Sequence, residues 1–249
     1  VILSYFQLTA TEKKPITVKK LTETAQSTTG IIKALIDKGI FEEYYLQEDR
    51  VNFKGEANEG QLKLSTPQEE AFNSIKESLI NKEVCLLHGV TASGKTEIYI
   101  KLIEEYLEKG KQVLYLLPEI ALTTQLVGRL RTHFGNKVAV FHSKYSNNER
   151  VEVWNQVLEK SEKAQIVIGA RSALFLPFQD LGFVIVDEEH EQTYKQVDPA
   201  PRYHARDAAI VLAGLQKAKV ILGSATPSIE SYNNAKTGKF GLVTLVERF

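Results

Sequence analysis

Gly89-Val90-Thr91-Ala92-Ser93-Gly94-Lys95-Thr96 sets two glycines, a lysine and a hydroxyl at the spacing G-x-x-x-x-G-K-[ST]. A loop of this kind turns successive backbone N–H groups, together with a helix N-terminus, toward one point, where phosphate oxygens are stabilised. Lys95 can then reach the terminal phosphates of a nucleotide, and the Thr96 hydroxyl can ligate Mg²⁺. Such a loop needs an acidic partner. Val184-Ile185-Val186-Asp187-Glu188-Glu189-His190 supplies one, an apolar run opening into consecutive carboxylates. Asp187 can hold the nucleotide's Mg²⁺ through its water shell, and Glu188 can orient and deprotonate an attacking water. Lys95, Asp187 and Glu188 are therefore the candidate catalytic residues. Thr96 and Asp187 are the candidate metal holders, and residues 89–96 the candidate nucleotide cradle.

These groups work only if the surrounding elements aim them. Val84-Cys85-Leu86-Leu87 reads as a buried strand before the loop, and Glu97–Ile103 as an amphipathic helix after it. Strands are predicted at Val84–His88, Val113–Leu117, Val138–Phe141, Ile166–Gly169, Phe183–Val186 and Val220–Leu222. Helical patterns lie between them, as at Thr124–Phe134 and Glu149–Glu159. Short, continuous apolar runs alternating with helices predict an α/β fold with a parallel sheet flanked by helices. Trp154, in a helical pattern with Val151, Val153, Val157 and Leu158, is predicted to pack in the core. Arg129, Arg131 and His133 read as a solvated helix face, and His142 and Ser143 as structural.

A polar stretch bounded by Gly55 and Gly60 reads as a linker. It divides a small unit, residues 1–55, from residues 65–249, with 56–64 between. In the small unit, 16–25 and 29–39 read as helices around a turn at 26–28, the second ended by Gly39. Phe41–Leu46 and Arg50–Lys54 read as two strands. Helix, turn, helix, hairpin is the order of a winged helix-turn-helix module. Residues 11–40 hold six lysines against three acids, which suits a phosphate-facing surface or a merely solvated lysine face.

The chain as a whole narrows the setting. Its 31 basic and 31 acidic residues cancel, so a nucleic-acid partner would have to be met by local patches rather than by net charge. Cys85 is the single cysteine, which excludes an internal disulfide and leaves no zinc-spaced cluster. In its strand it reads as an inert buried thiol. No apolar run reaches the roughly 18 residues of a membrane span, and no signal peptide is recognisable, so the reading is a soluble protein of a reducing compartment. The chain begins at Val1 and holds no methionine, which reads as a segment of a longer protein.

Asp-Glu-x-His in the acidic position makes a resemblance specific. The chain resembles the first motor lobe of a superfamily 2 helicase, and within that superfamily the PriA family of bacterial primosomal replication-restart helicases. Asp187–His190 resembles that family's DEEH box, Leu117–Thr123 its motif Ia, Gly169–Phe175 its motif Ib and Gly223–Ser228 its motif III. Pro201–Asp207 resembles the run after the DEEH box. The resemblance implies a RecA-like P-loop NTPase lobe that uses ATP and Mg²⁺. It also places an adenine-reading glutamine at Gln68, whose amide carries both a donor and an acceptor. The hydroxyls of Ser224 and Thr226 are expected to bond the Asp187–His190 segment and, with His190, to couple the ATP site to the strand-binding surface. Loops at strand ends line the crevice of an open parallel sheet, so Thr123, Arg171 and Ser172 are candidates for phosphates of a single strand. The family carries an aromatic-rich loop after the acidic box. Tyr194, Lys195, Arg202, Tyr203 and Arg206 are the stacking and backbone-contact candidates there, although Asp198-Pro199-Ala200-Pro201 stands where some members have an aromatic residue.

The resemblance further implies a bacterial cytoplasmic, 3′-to-5′ DNA helicase acting at stalled replication forks. Its implied partners are single-stranded and forked DNA, replication-restart proteins and single-strand-binding proteins, with no membrane. The family's second lobe and zinc module match nothing in this sequence, so zinc is expected only in a remaining part of the parent. This chain alone is expected to hydrolyse ATP poorly. Two other readings stay open: a different P-loop DNA translocase, and a DNA- or partner-binding platform with little activity of its own.

Overall fold

The computed structural model describes residues 1–11, 16–41, 62–119, 121, 124–142 and 145–247. Two compact units divide the chain, Val1–Glu48 and Asp49–Phe249.

The first unit contains α1 (Ile2–Thr11), α2 (Val18–Thr24) and α3 (Thr29–Asp37). Thr17 opens α2 by accepting from the Lys20 N–H at 3.3 Å, and the Gly39 N–H closes the chain back on Ile36 after α3. Leu21 and Ile32 are its buried anchors, and Tyr5 packs on Phe41 with ring centroids 5.0 Å apart. The sequence gives no warning of α1, which has neither an acidic first turn nor a basic last turn. Apart from Phe41, the two strands expected at Phe41–Leu46 and Arg50–Lys54, and most of the expected linker, lie outside the described residues.

The second unit opens with α4 (Thr66–Asn81) and continues through β1 (Val84–Gly89), α5 (Lys95–Glu108), β2 (Gln112–Leu116), α6 (Thr124–Phe134), β3 (Val138–Phe141), α7 (Asn147–Leu158), β4 (Ile166–Gly169) and β5 (Leu181–Asp187). A hairpin of β6 (Lys195–Gln196) and β7 (Tyr203–His204) follows, then α8 (Ala205–Gln216), β8 (Lys219–Ser224), α9 (Ile229–Lys236) and β9 (Gly241–Leu245). All of the strands except the hairpin form one parallel sheet in the order β3-β4-β2-β5-β8-β1-β9. The parallel α/β fold is thus as expected.

Burial on both faces explains the continuous apolar runs. Along β1, Val84 and Leu86 join one core layer while Cys85 and Leu87 join the other; along β5, Val184 and Val186 oppose Phe183 and Ile185 in the same way. Burial pushes the Cys85 thiol up to about 11, in keeping with an inert core thiol. Ala205, Ala209 and Ala213 give α8 a flat, small-residue face against one layer. Strand β9 was not expected. It pairs with β1 at the sheet edge, where its residues alternate in and out instead of running apolar throughout. Two other expectations fail. Trp154 does not enter the core; it is 44% exposed, because α7 buries Val153 and Val157 and turns Val151, Trp154 and Leu158 outward. Arg129 is not simply solvated, since it pairs with the buried Glu97 of α5.

Among the described residues no helix is long and apolar enough to cross a membrane.

Candidate functional site: a phosphate cradle facing an acidic strand end

The cradle is built from both sides. Gly89 ends β1, and α5 starts at Lys95, one residue after Gly94 in left-handed backbone (φ +82°). A Cβ on Gly94 would lie 1.9 Å from Nε2 of Gln68, so glycine is required twice over. Ser65 and Gln68 form a capping box at the start of α4, with the Ser65 N–H donating to Oε1 of Gln68 at 2.8 Å. Nε2 of Gln68 donates to the Ser93 carbonyl at 3.3 Å. Buried at 1% exposure, Gln68 thus braces the loop from behind, where an adenine-reading amide would face outward. The Ser93 hydroxyl is buried inside the loop without a hydrogen-bond partner among the described residues. An orphaned donor beside converging N–H groups suits a phosphate oxygen, so the residues present fit the expected group.

Lys95 is 9% exposed, with Nζ donating to the Gly89 carbonyl at 2.9 Å and standing 3.8 Å from Oε1 of Glu188. The lysine of the loop and the glutamate of the acidic box therefore meet, as the motif requires. Thr96 is partly buried at the first turn of α5. Asp187 ends β5, with the Tyr99 hydroxyl donating to Oδ1 at 3.0 Å and the Tyr115 hydroxyl to Oδ2 at 3.2 Å. Burial, helped by the adjacent Glu188 and opposed by Lys95, raises the Asp187 carboxyl to about 6. Neither tyrosine stood out in the sequence. Both read as core aromatics, and only the packing of α5 and β2 on β5 brings their hydroxyls to one carboxylate.

Beyond Glu188, which adopts φ +47°, the path continues to His190, whose Nδ1 lies 3.7 Å from Oε2 of Glu188. The same nitrogen shares a 2.7 Å hydrogen bond with Ser224 Oγ at the end of β8. Thr226 enters through its main-chain N–H, 3.0 Å from Ser224 Oγ, instead of through its hydroxyl. Glu189 was not singled out, yet it anchors the box. Completely buried, it accepts from Arg206 Nη1 (3.0 Å), the Ser228 N–H (2.7 Å), Ser228 Oγ (3.0 Å) and Ser231 Oγ (2.8 Å).

The strand-binding candidates divide. Tyr194 is 1% exposed and donates its hydroxyl to the Asp187 carbonyl at 2.6 Å, so it holds the acidic turn and is not a stacking platform. Arg206 is 7% exposed and held by Glu189, Asp207 and Ser228, which removes it from any solvent-facing strand path. The sequence missed both because burial of a tyrosine or arginine depends on which helix covers it. Arg171 is partly exposed and donates to the Thr193 and Lys195 carbonyls, both at 3.3 Å, bracketing Tyr194. Lys195 and Arg202 are exposed on the hairpin, with Arg202 Nε on the Val197 carbonyl at 3.0 Å. Ser172 and Tyr203 are partly exposed, and Tyr203 meets Phe175 edge-on at 5.3 Å between centroids. Thr123 lies outside the described residues. Among those described, no cluster of His, Cys, Asp and Glu could hold a metal ion by itself.

The chain also matches known proteins in sequence and fold. Residues 65–235 match the DEAD/DEAH box helicase model, and residues 1–48 match a winged helix domain model of PriA helicase from Bacteroidota. Replication restart protein PriA of Bacillus subtilis is 43% identical over 98% of this chain, which covers 30% of that protein. Its namesake in Haemophilus influenzae is 45% identical over 88% of the chain, again covering 30% of the relative. The chain thus spans about a third of the length of the relatives it matches. In fold, it is similar to RecG bound to a three-way DNA junction, at TM-score 0.54 and 23% identity over 75% of this chain and 24% of that one. Helicase MrfA bound to DNA gives TM-score 0.55 at 21% identity over 77% of this chain and 28% of that one. A helicase domain of this kind uses ATP and a divalent metal in general. With a family model covering most of its length, the chain belongs to the DEAD/DEAH box helicases, and it resembles a third of the PriA proteins over nearly all of its own length.

Proposed function

We propose that the chain provides the winged-helix module (1–55), linker (56–64) and first motor lobe (65–249) of an ATP-dependent 3′-to-5′ DNA helicase that remodels stalled replication forks so that replication restarts. The observation that carries this reading is the unbroken chain of polar contacts from Lys95 to Glu188, His190, Ser224 and Thr226, which joins the cradle to the end of β8.

In this reading the cradle N–H groups and the orphaned Ser93 hydroxyl hold phosphate oxygens, and Lys95 leaves the Gly89 carbonyl to meet the terminal phosphates. Thr96 and Asp187 would hold Mg²⁺, which when bound offsets charge on the phosphates. Tyr99 and Tyr115 hold the Asp187 carboxylate in place through their hydroxyls. Glu188, beside His190, orients the attacking water and takes its proton. Gln68 keeps the loop in register, and any contact it makes to adenine uses the second N–H of its amide. Lys195, Arg202 and Tyr203 on the hairpin meet the single strand together with Ser172 and Thr123, while Arg171 braces the hairpin through the Thr193 and Lys195 carbonyls.

Full turnover needs charge-stabilising arginines of the kind a second lobe supplies, worth roughly 10³ to 10⁵ in rate where measured in related chemistry. The chain covers 30% of the Bacillus relative, so we read this span as nucleotide-competent but slow and unable to unwind. Zinc belongs, in this reading, to the remainder of the parent. The partners are single-stranded and forked DNA together with restart and single-strand-binding proteins, in the bacterial cytoplasm.

The decisive measurement is ATP turnover by the full-length parent with and without forked DNA, alongside Lys95→Ala. Fork-stimulated turnover that the substitution abolishes is the expected result. Turnover indifferent to DNA, or unchanged by the substitution, would overturn the reading. Preference for forks over blunt duplex in strand displacement separates it from a duplex translocase.

A further inference from the structure

We propose that the groove between α7 and the turn after β4 holds one unpaired nucleobase of a single strand, stacked on Trp154, with the adjoining phosphate on Arg150. This rests on the helicase reading and adds a base-binding subsite to it.

The groove encloses about 360 Å³ and is lined by Phe141, Asn147, Arg150, Trp154, Ser172 and Phe175, among others. That volume lies within the range of small-ligand sites. Its position is informative: Phe141 ends β3 and Ser172 follows β4, adjacent strands of a parallel sheet, and ligands of such sheets bind outside the carboxyl ends of the strands. The same edge carries the cradle after β1 and the acidic box after β5.

The lining has the composition a nucleotide of a single strand requires. Trp154 is 44% exposed, Phe175 58% and Val151 57%, and all three line the one groove, so they form a contiguous exposed apolar patch of the kind that marks a binding site. The Arg150 guanidinium sits 5.5 Å from the Phe141 ring centroid, so a cation stands over an apolar floor. Arg150 is the one cation among the lining residues. The nearby acids of α7 are engaged elsewhere. Glu149 accepts from the Ser146 N–H at 2.7 Å and its hydroxyl at 2.9 Å, and Glu152 accepts from Gln156 at 3.1 Å. Asn147 and Ser172 add an amide and a hydroxyl that can meet a base edge. The aromatic surface then runs on through the Phe175–Tyr203 contact to the hairpin, where Arg202 is exposed. Rings alternating with cations along a groove are how sequence-tolerant single-strand sites are built. A peptide would gain from the apolar floor, but the guanidinium at its rim and the line toward Arg202 favour a polyanion.

Trp154 is the only tryptophan, so its fluorescence reports the groove directly. The chain is titrated with a short oligothymidylate and with an abasic oligonucleotide of equal length and charge, binding being followed independently by anisotropy. Saturating oligothymidylate is expected to quench Trp154, and the abasic strand to bind without quenching. Trp154→Ala should weaken oligothymidylate binding by roughly 5- to 100-fold and leave abasic binding unchanged. Arg150→Ala should weaken both. Thermal melts showing unchanged folding keep the comparison valid, and Trp154→Phe, which retains a ring, should recover most of the affinity. Equal quenching by the abasic strand, equal losses on both strands in Trp154→Ala, no quenching at saturation, or no binding at millimolar oligonucleotide would each overturn the subsite. Quenching by an aromatic-ended peptide but not by oligothymidylate would assign the groove to a protein partner and overturn it equally. If the parent's ATP turnover is still stimulated by DNA in any of these cases, the subsite alone has failed; loss of that stimulation marks failure of the helicase reading itself.

Discussion

Tyr99, just after the first turn of the cradle helix, donates its hydroxyl to Oδ1 of Asp187 across 3.0 Å and so ties the phosphate loop to the acidic strand end. Room for that bond exists because residue 223 is glycine; a Cβ there would lie 1.7 Å from the Tyr99 oxygen. Tyr99→Phe is expected to lower stability by about 1–2 kcal/mol in urea unfolding and to raise the divalent-metal concentration needed for nucleotide binding. Gly223→Ala should cost more, on the order of 3 kcal/mol, because the neighbours are a fully buried ring and the carboxylate itself. Equal and negligible effects for both would contradict the tie.

Glu189 should prove essential for folding although it takes no direct part in the expected chemistry. Glu189→Ala removes the buried countercharge of the Arg206 guanidinium and the acceptor of the Ser228 and Ser231 hydroxyls, a loss of about 3–5 kcal/mol. A fall in the thermal midpoint, measured by circular dichroism, checks this. Arg206→Ala should behave in the same way, whereas a true strand contact would leave the midpoint unchanged.

The Asp187 carboxyl gives a pH signature in the metal-free protein. Its folded value, about 6, exceeds the unfolded value of about 3.9, so the folded state holds the proton more tightly. Stability is then fully retained below about pH 4 and falls as pH rises toward 6. Asp187→Asn removes that loss: unfolding free energies from urea titration should match the parent near pH 4 and exceed it near pH 7.5, by up to roughly 3 kcal/mol. A larger gain at the acid end would refute the assignment.

Salt dependence separates the two kinds of arginine. Arg202→Ala and Lys195→Ala remove exposed charges and should each reduce the slope of log affinity for single strands against log salt by about 0.7. Arg171→Ala should instead loosen the hairpin, because its guanidinium holds the Thr193 and Lys195 carbonyls. Faster amide exchange at Tyr194 with an unchanged slope is the expected pattern; a reduced slope with unchanged exchange would make Arg171 a phosphate contact.

Much of the lobe was legible because its signals are local. A strand buried on both faces must be apolar throughout, so each sheet strand but β9 could be found as a run. The phosphate loop is a matter of backbone conformation, and only glycine at 94 fits φ +82° against Gln68. The Asp187–His190 box follows a strand and must emerge at the same sheet edge as the cradle, because parallel strands end together.

What the sequence by itself determined, then, was the parallel α/β lobe, the cradle and the acidic box. Tertiary structure decided which side chains serve them. Tyr194 and Arg206 look like strand contacts in a line of letters, yet one is sealed against the Asp187 carbonyl and the other against Glu189. Trp154 looks like core and faces out. Helical periodicity marks which residues share a face, but whether that face meets the sheet or the solvent depends on how neighbouring elements pack, and no local pattern encodes that.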